Sequence, residues 1–236
     1  MTKYELIYKD ILQMIKNEEI KPGEKILSEK DLMNKYNASR HTVRKALTIL
    51  ENHGFIQKNQ GKNATVISRN MLNFPISEIR SFTEINELEN LSAQTIVEDL
   101  EIINDESLVK KLFGIEKEKE LIKLVRVRKI NNESVILDID YFRRKIVSNI
   151  PLKEARKSVY NYLENNLSLN IGYAVKQFFC ESPSENEKKL LDLKTYDTVV
   201  VVSSNTYLSD NTIFQYTKSI HRPDKFKFVE IARRIK

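Results

Sequence analysis

The chain has 236 residues, enough for one large domain or two small ones. Apolar residues make up 41% and charged residues 31%, with only 5 Gly and 5 Pro, which predicts a water-soluble fold and excludes long low-complexity segments. Cys180 is the sole cysteine, no apolar run approaches the roughly 20 residues of a membrane span, and no secretory signal is present, so we expect a cytoplasmic protein without disulfides.

The net charge of +6 is unevenly distributed. Residues 1–69 hold 13 Lys and Arg against 8 Asp and Glu, while the remaining residues hold 26 against 25. Such asymmetry is typical of a nucleic-acid-binding unit joined to a nearly neutral one.

Two short helices are predicted before residue 38. The first covers residues 4–17, where Ile7, Ile11 and Ile15 recur every fourth position. A Lys-Pro-Gly sequence at 21–23 ends it. The second begins at Ser28, a good N-cap followed by acidic residues that favour the positive end of the helix dipole.

Residues 39–50 predict a third helix with two unlike faces. Ser39 is its N-cap, and Val43, Ala46, Leu47 and Leu50 share one side. The other side and the first turn carry hydrogen-bonding and cationic residues, namely Arg40, His41, Thr42, Arg44, Lys45 and Thr48. Such a face suits phosphates and guanine edges, although the same pattern occurs in amphipathic helices with a solvated basic face.

The sequence around this helix favours DNA binding. Two short helices joined by a three- or four-residue turn form a helix-turn-helix, whose second helix enters the major groove. Gly54 ends the third helix, and residues 55–58 and 64–67 predict a hairpin, which we call the wing, with Gly61 in its turn beside Lys58 and Lys62. A wing next to a helix-turn-helix can place cations on the DNA backbone.

Residues 68–80 predict a connector, and the rest of the chain predicts an α+β domain. Strands are expected at 92–104, 120–130, 134–143, 171–180, 198–208, 212–220 and 226–233, with helices at 105–113, 158–167 and 184–191. Hairpins joined by a few helices indicate an antiparallel sheet with helices on one side. Cys180 is expected to pack inside this domain.

Two co-facial pairs of charged residues in this domain predict a binding site. Arg126 and Arg128 share one face of a strand, as do Asp138 and Asp140 on the strand that follows. Buried arginines need an anionic partner, which a sugar phosphate supplies. The two carboxylates either accept from sugar hydroxyls or pair with the arginines.

Three hydroxyl residues are candidates for further phosphate contacts. They are Ser81, Thr83 and Ser158, and Ser158 stands at a predicted helix N-terminus, where it is either an anion ligand or only a cap.

Two other classes of function are less well supported. An enzyme would need a nucleophile with its base, a Gly-rich phosphate loop or metal-ligand spacing, and the sequence shows none of these, so we expect no catalytic residues, no metal and no cofactor. Membrane binding through the first helix is disfavoured by its interspersed acidic residues.

Residues 4–69 resemble the winged helix-turn-helix of the GntR family of bacterial regulators. The resemblance is carried by residues 26–32, 39–47 and 54–56 and by the glycine of the wing, while Leu27 stands where the family usually has proline. It implies DNA contacts by seven residues, namely Lys30, Ser39, Arg40, Thr42, Arg44, Gly61 and Lys62.

The C-terminal part resembles the effector-binding domain of the HutC branch of that family, which has a chorismate-lyase-like (UbiC transcription regulator-associated) fold. The matching segments are 81–84, 126–128, 138–141, 158–163 and 215–226. The resemblance adds Phe82, Tyr160, Gln215 and His221 to the predicted effector site, although each alone is more often structural.

Together these resemblances predict a domain order and a function. We expect a DNA-binding domain at 1–69, a linker at 70–80 and an effector-binding and dimerisation domain at 81–236. Within the HutC branch, the chain resembles repressors of trehalose operons in low-GC Gram-positive bacteria. That implies a homodimeric repressor on double-stranded operator DNA with trehalose-6-phosphate as effector; another anionic ligand, such as an amino-sugar phosphate, is the alternative.

Overall fold

The structure is a computed structural model that describes residues 2–52, 54–58, 63–67, 79, 81–89, 93–193 and 195–226, without the side chains of residues 52 and 87–89. These residues form two compact units, the first within residues 2–67 and the second within residues 79–226. The predicted linker at 70–80 lies almost wholly outside the described residues, and the predicted domain boundaries stay a prediction.

The first unit is a helix-turn-helix followed by a short hairpin. Its helices are α1 (Lys3–Lys16), α2 (Glu29–Tyr36) and α3 (Arg40–Asn52), and its strands are β1 (Ile56–Gln57) and β2 (Thr65–Val66). The strands are antiparallel. The predicted caps are confirmed, since the backbone N–H groups of Asp31 and Thr42 donate to the Ser28 and Ser39 hydroxyls. Gly54 follows α3 with a φ of 72°.

The core of this unit confirms the predicted apolar faces. Val43, Ala46, Leu47 and Leu50, the four residues of α3 predicted to share its apolar side, are buried at exposures of 4% or less, while Ile49 of the same helix is half-buried. Ile7 and Ile11 of α1, Leu32 of α2 and Val66 of β2 are buried in the same unit. The polar side of α3 is therefore the side that remains available to a partner.

The second unit is built on one antiparallel sheet of six strands. The strands are β3 (Ala93–Asn104), β4 (Glu120–Ile130), β5 (Glu133–Arg143), β6 (Ile171–Glu181), β7 (Val199–Leu208) and β8 (Ile213–His221). Their order across the sheet is β3-β4-β5-β8-β7-β6. The tight turn between β4 and β5 has positive φ at Asn131 and Asn132, as type I′ hairpins require.

In the described part of this unit, five α-helices accompany the sheet, namely α4 (Phe82–Glu89), α5 (Glu106–Phe113), α6 (Leu152–Lys157), α7 (Val159–Asn165) and α8 (Glu185–Leu190). Side chains of α6 and α7 pack with Ile122 and Leu124 of β4. Residues of α5 instead pack with Leu121, which points to the opposite face of that strand. The prediction of helices on one side only was therefore wrong, since both faces of the sheet carry apolar residues that need cover.

Other differences from the sequence expectations concern short elements and one cysteine. Helices α4 and α6 were not predicted; α6 begins after Pro151, which makes no side-chain cap hydrogen bond. Cys180 is exposed, not packed inside the unit, since β6 is an edge strand. The strand predicted at 226–233 lies outside the described residues from position 227 onward. None of the helices in the described ranges combines the length and apolarity needed to cross a bilayer.

Candidate functional site

The exposed face of α3 carries several of the predicted nucleic-acid contacts of the first unit. Arg40, His41, Arg44 and Thr48 are exposed along this helix. Lys30 is exposed on α2. The predicted contacts at Gly61 and Lys62 fall at the tip of the wing, outside the described residues.

Two polar residues at the start of α3 hold each other in place. The hydroxyls of Ser39 and Thr42 are 2.9 Å apart, and Ser39 also accepts from the Thr42 backbone N–H at 3.2 Å. In the wing, Lys58 donates to Thr48 of α3 at 2.8 Å and contacts Glu51 at 3.4 Å. These contacts tie the wing to the helix that is predicted to enter the groove.

The second unit contains a cavity of about 180 Å³ whose floor is the sheet. Strand register explains its polar content. Arg126 stands opposite Asp138, which stands opposite Ser219, and Asp140 stands opposite Thr217. Because side chains alternate along each strand, these residues all project to one face. The cavity is therefore lined by polar groups from neighbouring central strands.

Two ion pairs connect the arginines and the aspartates diagonally across this register. Arg126 Nη2 lies 2.6 Å from Asp140 Oδ2, and Arg128 Nε lies 2.9 Å from Asp138 Oδ2. All four side chains are buried or nearly so. Of the two roles open for the carboxylates, this structure has them paired with the arginines.

Hydroxyl and amide groups complete the hydrogen bonding of the carboxylates. Asp140 Oδ1 accepts from Gln215 Nε2 at 2.9 Å and from the Thr217 hydroxyl at 2.7 Å, and Asp138 Oδ1 accepts from the Ser219 hydroxyl at 2.6 Å. Burial alone would raise the pKa of Asp138, but Arg128 and Arg126 outweigh it and the pKa is lowered. The carboxylate is therefore ionised at neutral pH.

Burial shifts the pKa values of three other groups that line the cavity. It lowers the pKa of Arg128 to about 10, with repulsion from Arg126 as a further cause, so the guanidinium remains charged at neutral pH. It raises the pKa of Tyr160, whose phenol keeps its proton. It lowers the pKa of His221 to about 4, against an opposing effect of Asp138, so the imidazole is neutral.

The cavity wall contains the start of α4 and the start of α7. Ser81 and Ser158 accept from the backbone N–H groups of Glu84 and Asn161 at 3.2 and 3.3 Å, so both are caps. A capping serine accepts with its oxygen and keeps its O–H as a donor. Thr83 differs, because its hydroxyl donates to the Lys157 carbonyl at 2.5 Å.

Phe82 lies against one of the two arginines. The guanidinium carbon of Arg128 lies 4.7 Å from the centre of its ring, within cation–π distance. This contact joins the floor of the cavity to α4.

Two buried polar atoms of the cavity residues have no hydrogen-bond partner among the described residues: Arg126 Nε, a donor, and Gln215 Oε1, an acceptor. Leaving such a group unsatisfied costs about 1–3 kcal/mol. A ligand with both donors and acceptors would satisfy them.

The cavity gathers every predicted effector residue, namely Ser81, Phe82, Thr83, Arg126, Arg128, Asp138, Asp140, Ser158, Tyr160, Gln215 and His221. That they bind an effector stays a prediction. Sequence reasoning missed several further lining residues, including Lys157, Lys176, Ser204, Thr217 and Ser219. Alternation along β8 from Gln215 to His221 would have predicted Thr217 and Ser219, whereas Lys176 depended on the pairing of distant strands.

Among the residues that the structure describes, four cationic residues line the cavity against two anionic ones, namely Arg126, Arg128, Lys157 and Lys176 against Asp138 and Asp140. An excess of positive charge favours an anionic ligand. Within the described residues, no group of three or more His, Cys, Asp or Glu side chains is placed to hold a metal ion.

Known families match both units. Residues 3–66 match the model of bacterial regulatory proteins of the gntR family, and residues 89–227 match the UTRA domain. The chain is 40% identical over 234 residues to the HTH-type transcriptional regulator TreR of Bacillus subtilis, covering 99% of this chain and 98% of that protein.

Solved structures agree with these matches. The effector-binding domain of the Bacillus subtilis trehalose repressor aligns with a TM-score of 0.55 at 40% identity, covering 61% of this chain and 99% of that one. The possible transcriptional regulator YydK of Bacillus subtilis aligns with a TM-score of 0.80 at 22% identity over 99% of this chain and all of that one, which shows the shared fold. The chain therefore belongs to the GntR family of DNA-binding transcription regulators, in the HutC-like branch whose members carry a UTRA domain.

Proposed function

We propose that this protein represses trehalose-utilisation genes and leaves its operator when trehalose-6-phosphate binds in the second unit. The observation that carries the proposal is the pair of buried arginines, Arg126 and Arg128, on the floor of a cavity rich in hydroxyl and amide groups. The regulator that is 40% identical over nearly the whole chain supports the choice of sugar.

The chemistry of the cavity matches the two parts of such a ligand. A phosphate takes two parallel hydrogen bonds from a guanidinium, so it would compete with Asp138 and Asp140 for the arginines. The carboxylates released in this exchange accept from sugar hydroxyls. Gln215 Oε1 and Arg126 Nε supply an unpaired acceptor and an unpaired donor beside them.

The start of α4 gives a route by which binding could reach the first unit. Phe82 lies over the Arg128 guanidinium, and Ser81 caps the helix. The chain segment that precedes them is the predicted linker at 70–80. An effector shifts the equilibrium only if it binds the DNA-competent and released states differently. We infer that the ligand, by displacing Arg128 from Asp138, moves α4 and hence the linker.

On the DNA, a homodimer would place two α3 helices in successive major grooves of a near-palindromic operator in the bacterial cytoplasm. Arg40 and Arg44 would contact base edges, with Ser39 and Thr42 beside them. Lys30, Gly61 and Lys62 would contact the backbone. Phosphate contacts release counterions, so affinity should fall steeply as salt rises.

The exposed side chains of the edge strand β6 support dimerisation of the second unit with a second copy of the chain. Tyr173, Val175, Phe178 and Phe179 on this strand are each at least 41% exposed. An uncovered edge of this kind invites strand pairing, and a two-fold axis lets the same strand serve both copies. A palindromic operator requires the same symmetry.

Titration of labelled operator DNA tests the proposal. The operator is first isolated by selecting duplexes that the protein binds from a random pool. Trehalose-6-phosphate should then weaken binding, whereas trehalose and inorganic phosphate should not. Release by an amino-sugar phosphate in place of trehalose-6-phosphate would assign a different effector. Turnover of any of these sugars would contradict the regulatory role of the second unit.

A further inference from the structure

The first turn of α2 supplies an acidic partner to one arginine of α3. Arg44 Nε donates to both carboxylate oxygens of Glu29, at 2.9 and 3.0 Å. The Arg44 side chain is 62% exposed and that of Glu29 is 35% exposed, so the contact is made at the surface. Among the described residues, Arg40 of the same helix has no carboxylate partner, so the arrangement is particular to Arg44.

Stability does not explain this ion pair. Water screens exposed charges, and ordering two long side chains costs entropy, so such contacts add little to the free energy of unfolding. An acidic residue beside a cationic face also repels DNA phosphates. The helix dipole explains an acidic residue in the first turn of α2, but it does not explain why Glu29 contacts Arg44.

The geometry of the contact suggests what Glu29 does to Arg44. A guanidinium has five N–H donors, and the contact with guanine O6 and N7 is a bidentate one made by the fork. Glu29 uses the Nε–H group and leaves the two terminal nitrogens of Arg44 available. A side chain held by its Nε presents those nitrogens end-on and loses less freedom when it meets a base.

We propose that Glu29 is a specificity-determining residue that positions Arg44 for bases and restrains it from phosphates. This inference rests on the proposed DNA contact of Arg44. Without Glu29, Arg44 has a free Nε and no neighbouring carboxylate to offset its charge, and it can reach the DNA backbone of any sequence. The wild-type residue thus lowers affinity for unrelated DNA more than it lowers affinity for the operator.

Full-length Glu29→Ala and Glu29→Gln test this role. Their dissociation constants are measured on a duplex selected by the wild-type protein and on an unrelated duplex, across a salt series. For Glu29→Ala we expect the ratio of the two affinities to fall by about tenfold, as for loss of one bidentate base contact. The salt slope on unrelated DNA should steepen by about one, because Arg44 becomes one more phosphate contact. Glu29→Gln keeps an acceptor without the charge and should lie between Glu29→Ala and wild type.

Glu19→Ala is the matched control. It removes the same charge from the same unit, and the hydrogen bond described for that side chain is to Asn17. We expect it to leave the affinity ratio unchanged. An equal fall in Glu19→Ala would mean that the effect is one of net charge, which would overturn the inference.

Arg44→Ala separates failure of the inference from failure of the proposed function. If Arg44→Ala binds both duplexes as wild type does, the proposed contact of Arg44 is wrong. If Arg44→Ala loses discrimination but Glu29→Ala keeps the wild-type ratio and salt slope, Glu29 does not position it. In the Arg44→Ala background, adding Glu29→Ala should change the ratio no further, and an additional fall would show that Glu29 acts without Arg44.

Discussion

Removal of Arg126 should separate the structural and ligand-binding roles of the cavity. Its guanidinium lies 2.6 Å from Asp140, and the two side chains are 9% and 1% exposed. In Arg126→Ala the carboxylate stays buried with Gln215 and Thr217 as its donors. Breaking a buried ion pair from one side costs about 3–5 kcal/mol. The two remaining hydrogen bonds place the loss at the lower end, about 3 kcal/mol.

A second substitution should recover much of that loss. Asp140→Asn added to Arg126→Ala removes the unpaired charge and keeps an oxygen that accepts from Thr217. We expect the double variant to lie within about 1–2 kcal/mol of wild type, because it no longer buries a charge without a partner. At this chain length, the single variant should melt roughly 6–12 °C below wild type.

Thermal unfolding and operator release are measured on the same preparations. Both variants should bind operator DNA as wild type does, and neither should respond to trehalose-6-phosphate. A double variant no more stable than Arg126→Ala would refute the assignment of the loss to the Asp140 charge. Normal release of either variant by trehalose-6-phosphate would show that the phosphate does not bind at Arg126.

Three further predictions concern the same unit. Burial lowers the pKa of His221 from 6.5 to about 4, so its contribution to stability is present above pH 6.5 and is lost as the pH falls toward 4. In denaturant titrations, the free energy of unfolding of His221→Gln should therefore fall by about 3 kcal/mol less than that of wild type over this pH window. Phe179→Lys on β6 should shift the protein toward monomer in sedimentation experiments and weaken operator binding, whereas Ile102→Lys on the opposite edge strand β3 should do neither; a dimeric Phe179→Lys would contradict a β6 interface. A Cβ at Gly172 would lie 3.0 Å from the Leu208 backbone, so Gly172→Ala should lower the free energy of unfolding in urea by about 1–3 kcal/mol. Wild-type stability of this variant would mean that β6 and β7 move apart without strain.

The DNA-binding unit could be predicted from sequence in most of its detail because its determinants are local. Ser28 and Ser39 cap helices whose first turns follow them directly, and Gly54 adopts the left-handed conformation that ends α3. The four predicted core positions of α3, namely Val43, Ala46, Leu47 and Leu50, recur at helical spacing and are buried. The contact between Glu29 and Arg44 does not follow from such spacing, because it joins side chains of two different helices.

The cavity was predictable only in part. Alternation along a strand is enough to place Arg126 and Arg128 on one face, and Asp138 and Asp140 likewise. The pairing is diagonal, so Arg126 stands opposite Asp138 yet bonds to Asp140. Which aspartate each arginine pairs with depends on how far the side chains reach across the sheet. The order of residues along the chain does not show this.

The sequence by itself therefore determined the helix-turn-helix, the caps and the hairpins, because each depends on neighbours within a few positions. The candidate residues came partly from strand alternation and partly from the resemblance to a family. Tertiary structure alone decided that β6 is an edge strand, that Cys180 is exposed and that Lys176 lines the cavity. It also decided that helices cover both faces of the sheet. These features depend on the order of strands far apart in the chain, which local spacing and burial patterns do not fix.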